Sequence, residues 1–334
     1  MKIGRAFRFL FLVVPLAAAA QSVAAQSAAA PVATAPAAER PMDFAEVWAY
    51  LMKGEEAFLS AQYPITDIGY FGAGISMFGK LTGVPDRRKL ASFKGRVHLV
   101  VAETGNQALT HFCLDPRFEL REAIIGEIVA AAAPFDGVQI DFEAVPSADK
   151  ALFVEFLGRL KERLGGKPLT VALPARWKTV DDSYDYALIG QVVDRIVVMA
   201  YDEHWSSSVP GPIASIDWCR NVSQYALSTI GPGKLIMGLP FYGRAWADKN
   251  PARAYKHSGV AQLRAEKALE TVNRDNEIPF FDYQETVNVR VFYEDAASIS
   301  YRLQLYGSAS VDKVAFWRLG QEDAAVWTYL RAVN

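Results

Sequence analysis

The chain has 334 residues, 51% of them apolar, and 35 Lys and Arg against 37 Asp and Glu leave a formal net charge of −2. That is enough apolar material for one large buried core, and one large domain is the simpler reading. A near-neutral charge with no Lys/Arg cluster argues against a nucleic-acid binder or a protein held to an anionic membrane surface, so neutral or small partners are expected.

Lys2, Arg5 and Arg8 precede an apolar stretch from Phe9 to Ala20 and small residues ending in Val23-Ala24-Ala25. This is the three-part layout of a secretory signal peptide. The stretch is shorter than the roughly 20 residues that span a bilayer, so residues 1–25 are expected to be cleaved on export to the periplasm or beyond, with no stable membrane insertion. No cysteine lies near the cleavage position, which argues against a lipid anchor. Residues 26–41, mostly Ala, Pro, Ser and Thr, cannot bury enough apolar surface to order themselves and read as a linker. The folded domain is expected over residues 42–334.

From Phe44 onward, β-branched runs alternate with helical stretches, the pattern of βαβ units on a parallel sheet. The runs are Val47–Leu51, Thr66–Phe71, Arg96–Ala102, Gly137–Phe142, Leu169–Leu173, Arg195–Ala200, Lys234–Pro240 and Lys313–Trp317. Most lack strict apolar/polar alternation, as strands covered on both faces do. Eight such units point to a (β/α)₈ TIM barrel, with an open doubly wound sheet as the alternative. Gly72-Ala73-Gly74 lacks the third glycine of a nucleotide loop, and Met77 stands in its place. After the fourth strand, Leu152, Phe153, Phe156, Leu157, Leu160 and Leu164 recur at helical spacing until Gly165-Gly166. Between the seventh and eighth strands, residues 248–295 are expected to form a small insertion containing a hairpin from Phe280–Tyr283 to Val289–Phe292.

Cys113 and Cys219 lie far apart and read as two buried thiols. His98, His111, His204 and His257 show no pair at ligand spacing, so neither a structural metal nor a cofactor is expected.

Barrel enzymes carry their chemistry at the C-terminal ends of strands. The fourth strand, Asp136-Gly137-Val138-Gln139-Ile140-Asp141-Phe142-Glu143, stands out. Because successive side chains alternate, Val138, Ile140 and Phe142 should face the helices, while Gln139, Asp141 and Glu143 line the barrel interior. Two carboxylates about 6–7 Å apart at Cα on one inward face raise each other's proton affinity, as a general acid near neutral pH requires. Glu143, at the strand end, is the candidate proton donor, with Asp141 deeper. The competing reading is a buried polar pair satisfied by neighbouring Arg, Tyr and backbone groups. A divalent metal would need further ligands, and none lies nearby in sequence.

This strand resembles the Asp-Gly-x-x-x-Asp-x-Glu motif of glycoside hydrolase family 18. Met199-Ala200-Tyr201-Asp202 resembles the family's sixth-strand motif, Gly238 to Trp246 its seventh-strand segment, and Trp317 falls where its eighth strand carries a tryptophan. The likeness runs from about Phe44 to the C-terminus. The wording Tyr201-Asp202-Glu203-His204-Trp205, Pro210-Gly211-Pro212 and Ala315-Phe316-Trp317-Arg318-Leu319-Gly320 is most similar to the spore-germination-type branch, whose members include peptidoglycan N-acetylglucosaminidases.

The resemblance implies a glycan partner containing N-acetylglucosamine and a retaining mechanism in which the substrate's own acetamide acts as nucleophile. It implies Glu143 as acid and then base, Asp141 orienting the acetamide, and Tyr201 hydrogen-bonding its carbonyl. It further implies substrate contacts from Gln139, Met199, Asp202, Tyr242, Arg244 and Trp317. By the residues alone, Tyr201 and Trp317 could equally be core aromatics, and Tyr242 and Arg244 could pair with Asp141 or Glu203. Trp205 and Trp246 either extend the glycan site or clamp the insertion, and Asp136 and Gly137 read as serving the turn into the strand. Two positions depart from the pattern: Gln139 stands where many chitinases carry a third acid, and Ala102-Glu103-Thr104-Gly105 replaces the usual third-strand Ser-x-Gly-Gly. A catalytically silent glycan-binding protein on the same barrel is the alternative function.

Overall fold

A computed structural model describes residues 41–248, 250–284 and 288–333. The expected signal peptide, and the linker up to residue 40, lie outside the described residues.

Each of the eight β-branched runs forms a strand of one parallel sheet: Glu46–Met52, Asp67–Ile75, Arg96–Glu103, Gly137–Phe142, Leu169–Pro174, Arg195–Met199, Leu235–Pro240 and Lys313–Trp317. Every strand pairs with its sequence neighbour, and the eighth pairs with the first, Ala315 opposite Trp48, so the sheet closes into a (β/α)₈ barrel. Closure removes the open doubly wound sheet from consideration.

Alternation along each strand divides the apolar residues into two shells. The outward set, including Val47, Val97, Leu99, Val138, Ile140, Phe142, Val171 and Leu173, forms one core with residues of the surrounding helices. In the helix Lys150–Arg163, the predicted stripe supplies Phe153, Phe156, Leu157 and Leu160, all fully buried. Phe142 meets Phe153 and Phe156 at ring separations of 6.3 and 5.8 Å, tying the end of the fourth strand to this helix. The inward set is smaller: Trp48, Tyr50, Phe71, Val100, Val197, Ile236 and Ala315.

A buried polar cluster plugs the N-terminal end. Trp48 stacks on His98 at 4.3 Å and donates its Nε1–H to Glu46 at 2.8 Å. Asp67 receives Arg96 through both oxygens at 2.7 and 2.9 Å and contacts His98 Nε2 at 2.8 Å. Arg195 pairs with Glu46 at 2.7 Å. With this end filled, the C-terminal end is the open one among the described residues, and the polar residues of the fourth strand point there.

The insertion is larger than one hairpin. A five-stranded antiparallel sheet runs from Tyr242–Ala247 through Asn250–Lys256, Asn273–Asp275 and Ile278–Gln284 to Asn288–Phe292, with a helix at His257–Glu266. The hairpin itself pairs Phe280 with Phe292 and Asp282 with Arg290. The insertion was expected from residue 248, yet the sheet begins at Tyr242. The physical cause is local: Phe241 N bonds the Trp317 carbonyl at 2.8 Å, closing the barrel ladder, and the next residues turn to pair with the last insertion strand. Cys113 and Cys219 are buried, unpaired and on different helices. Among the described residues, no helix is long and apolar enough to cross a membrane.

Candidate active site

A cleft of about 730 Å³ opens at the C-terminal end of the barrel. All nine residues singled out from the sequence line it: Gln139, Asp141, Glu143, Met199, Tyr201, Asp202, Tyr242, Arg244 and Trp317. They come from the fourth, sixth and eighth strands, the residues just after the fourth and sixth, and the first strand of the insertion, so the insertion forms one wall of the cleft.

Gln139 and Asp141 are buried in the barrel, while Glu143, one residue beyond the strand, is exposed at the mouth. Burial, reinforced by the nearby Glu143 charge, pushes the Asp141 carboxyl up to about 8. Glu143 is also raised, first by partial desolvation and then by the charge of Asp202. Buried acids in low dielectric hold their protons because ionising them forfeits solvation. Both carboxyls therefore hold a proton more tightly than free acids do, Asp141 in the barrel and Glu143 facing the opening.

Gln139 does not spend its amide on Asp141. Its Nε2–H donates to Thr170 Oγ1 at 3.1 Å, and both Gln139 Oε1 and Asp141 Oδ1 lack a hydrogen-bond partner. Unpaired buried acceptors at the floor of an open cleft are groups a bound ligand can satisfy.

Tyr201 packs edge-on to Tyr242 at 6.3 Å, and burial drives its phenol well above the usual range, so it remains a hydrogen-bond donor. Gly238 makes room for it: a Cβ there would lie 3.1 Å from Tyr201 Cε1 and 2.8 Å from the Val198 carbonyl. Trp317 lies across the barrel, edge-on to Phe71 at 4.7 Å and tilted against Tyr50 at 5.4 Å, as an aromatic floor. Asp202 adopts a left-handed backbone (φ 59) and accepts from Tyr242 Oη at 2.6 Å and Arg244 Nη2 at 2.8 Å.

Arg244 and Tyr242 thus grip Asp202, not Asp141 or Glu203. Glu203 accepts instead from Ser215 N at 2.7 Å and Ser215 Oγ at 3.1 Å, bracing the N-cap of the helix Ile216–Ile230. The two undecided tryptophans divide. Trp205 lines the cleft with 52% exposure, whereas Trp246 is buried in the insertion and donates its Nε1–H to the Trp205 carbonyl at 3.3 Å. Asp136 serves the turn, accepting from Val97 N at 2.8 Å.

Several lining residues were not singled out from the sequence. Tyr50 shares the floor, its phenol raised by burial and by Asp141, and the inward alternation of Trp48 and Tyr50 was the available signal. Trp177, 54% exposed, Trp218 and His204 extend the cleft outward. They sit on loops and a helix start, where no periodicity marks them. Among the described residues, no cluster of three or more potential ligands could hold a metal ion.

The sequence model of Glycosyl hydrolases family 18 matches residues 119–322, more than half of the chain. The protein YdhD of Bacillus subtilis, named as a sporulation-specific glycosylase, is 34% identical over 199 residues, covering 55% of this chain and 47% of that one. The crystal structure of the Bacillus cereus spore cortex-lytic enzyme SleL superposes with a TM-score of 0.77 at 26% identity, covering 86% of this chain and 73% of that one. The chitinase of Chromobacterium violaceum superposes with a TM-score of 0.74 at 25% identity, covering 85% of this chain and 96% of that one. The chain spans about half the length of the curated relatives it matches.

Proposed function

The chain belongs to glycosyl hydrolases family 18, and on that premise we propose that it is a retaining glycoside hydrolase cleaving β-linked glycans that contain N-acetylglucosamine, peptidoglycan or chito-oligosaccharide. One observation carries the reading: Glu143, at the lip of the cleft, stands above the buried carboxyl of Asp141, and burial raises the proton affinity of both. A family of this kind uses the substrate's acetamide oxygen in place of an enzyme nucleophile. As substrate binds, Asp141 passes its proton to Glu143, which protonates the glycosidic oxygen and later takes a proton from the attacking water. The Asp141 carboxylate left behind orients the acetamide and stabilises the positive charge that develops, and the Tyr201 hydroxyl donates to the acetamide carbonyl. Trp317 supports the apolar face of the distorted sugar, while Asp202, held by Tyr242 and Arg244, takes a ring hydroxyl. Gln139 and Met199 complete the inner wall. A neutral Gln139 cannot accept charge from Asp141, so Asp141 exchanges its proton with Glu143 rather than with a third acid.

Retention of Glu143 speaks against a silent glycan-binding protein. The deciding experiment is digestion of purified peptidoglycan and of chito-oligosaccharides, with product mass and anomeric form read together. Retained β-anomers are expected, and an inverted product rules out the substrate-assisted route. Export through a signal peptide cleaved after Ala25 is part of the same reading, with the barrel of residues 42–334 as the working domain in the periplasm or medium. N-terminal sequencing of the mature protein tests it.

A further inference from the structure

Glu143 lies just where the barrel stops holding its backbone. On the third-strand side the ladder continues, and Glu143 N bonds the Glu103 carbonyl at 2.8 Å. On the fifth-strand side the register ends at Ile140 opposite Val171, so the segment from Asp141 to Pro146 has no strand partner there.

The loop after the fifth strand takes over. Val145 N–H donates to Tyr184 Oη at 3.1 Å, and the buried Ser183 hydroxyl donates to the carbonyls of Val145, at 3.3 Å, and of Pro146. Tyr184 is itself anchored, edge-on to Phe153 at 6.3 Å, on the ring that packs against Phe142 at the end of the fourth strand. Its backbone N–H bonds Asp182 at 2.9 Å, and Asp182 pairs with Arg176 across the loop. Burial first, and then the charges of Glu143 and Asp182, raise its phenol to about 12, so the hydroxyl keeps its proton.

We propose that Tyr184, with Ser183, is a positioning residue for Glu143: it replaces the missing strand ladder and holds the acid at the cleft mouth. This rests on the reading of Glu143 as the acid. Removing the hydroxyl orphans Val145 N–H and lets the segment relax toward water. The proton affinity of Glu143, raised mainly by desolvation, then falls. Among ionisable groups, Asp202 raises Glu143, and Glu143 in turn raises Asp141 beneath it, Tyr201 after the sixth strand and Tyr184 on the fifth-strand loop. Only Tyr184 is altered in the test.

In Tyr184→Phe, kcat should fall about tenfold, inside the ~100-fold that a 1 Å misplacement can produce, with KM within about twofold of wild type. The basic limb of the kcat/KM profile should move to lower pH by about half a unit or more, and Ser183→Ala should shift it in the same direction. A ¹³C NMR titration of the Glu143 side-chain carboxyl should show the same displacement without substrate, so it tests the positioning even if the wild type hydrolyses neither glycan. Unchanged kcat and an unchanged Glu143 titration in Tyr184→Phe would overturn the assignment, whatever happens to thermal stability. Failure of the functional reading looks different: the wild type and Glu143→Gln would be equally inert.

Discussion

Replacing Asp141 with Asn should remove a pH dependence of folding that the barrel interior imposes. In the unfolded chain this carboxyl loses its proton near 3.8, whereas in the folded protein burial and Glu143 hold the proton up to about 8. A raised folded-state value means that the stabilising term is fully present below the unfolded value and is lost as pH climbs through the folded one. Each pH unit between those limits lowers stability by about 1.4 kcal/mol. The side chain is buried, so solvent screening does not erode the effect. Between pH 5 and pH 7, wild type should lose about 2–3 kcal/mol relative to Asp141→Asn, which has no proton to hold. Urea denaturation of both proteins at closely spaced pH values, under reversible conditions, measures that difference directly. If the gap between the two curves changes by less than about 0.5 kcal/mol over this range, Asp141 ionises normally in the barrel and the account of a protonated inner acid is wrong.

Glu143→Gln should lower kcat by about 10²–10⁴-fold, the usual contribution of a general acid, while glycan binding measured by calorimetry persists; loss of both together points to collapse of the cleft. Asp202→Asn removes the charge that helps raise Glu143, so the basic limb of the kcat/KM profile should move toward lower pH, and an unmoved limb refutes that coupling. Gly137→Ala should destabilise the protein by about 1–3 kcal/mol, as overpacking does. The new Cβ would lie 2.4 Å from His98 Nδ1 and 2.9 Å from the Pro168 carbonyl, and a melting temperature equal to wild type would show that the barrel floor yields.

Inward and outward faces of the fourth strand were legible because a strand alternates with a period of two: Val138, Ile140 and Phe142 enter the outer core, and Asp141 and Glu143 enter the cleft. The helix Lys150–Arg163 was legible for the matching reason, a stripe at helical spacing. The insertion was legible only at its hairpin. Tyr242–Ala247 reads as a continuation of the seventh strand; it pairs antiparallel both with the adjacent Asn250–Lys256 and with Asn288–Phe292 some forty residues further on, and that second pairing lies beyond the reach of any local pattern.

The cleft makes the same division. The candidate acids Asp141 and Glu143 were legible because a strand places each side chain by arithmetic, whereas Tyr201 and Trp317 were singled out by the family resemblance, and the structure puts all four in one cleft. Which carboxyl keeps its proton, that Arg244 and Tyr242 hold Asp202, and that Tyr184 takes the place of the missing ladder beside Glu143 are decided by tertiary structure. These depend on burial and on contacts between segments tens of residues apart, and desolvation and hydrogen bonding across such gaps exist only once the barrel has closed.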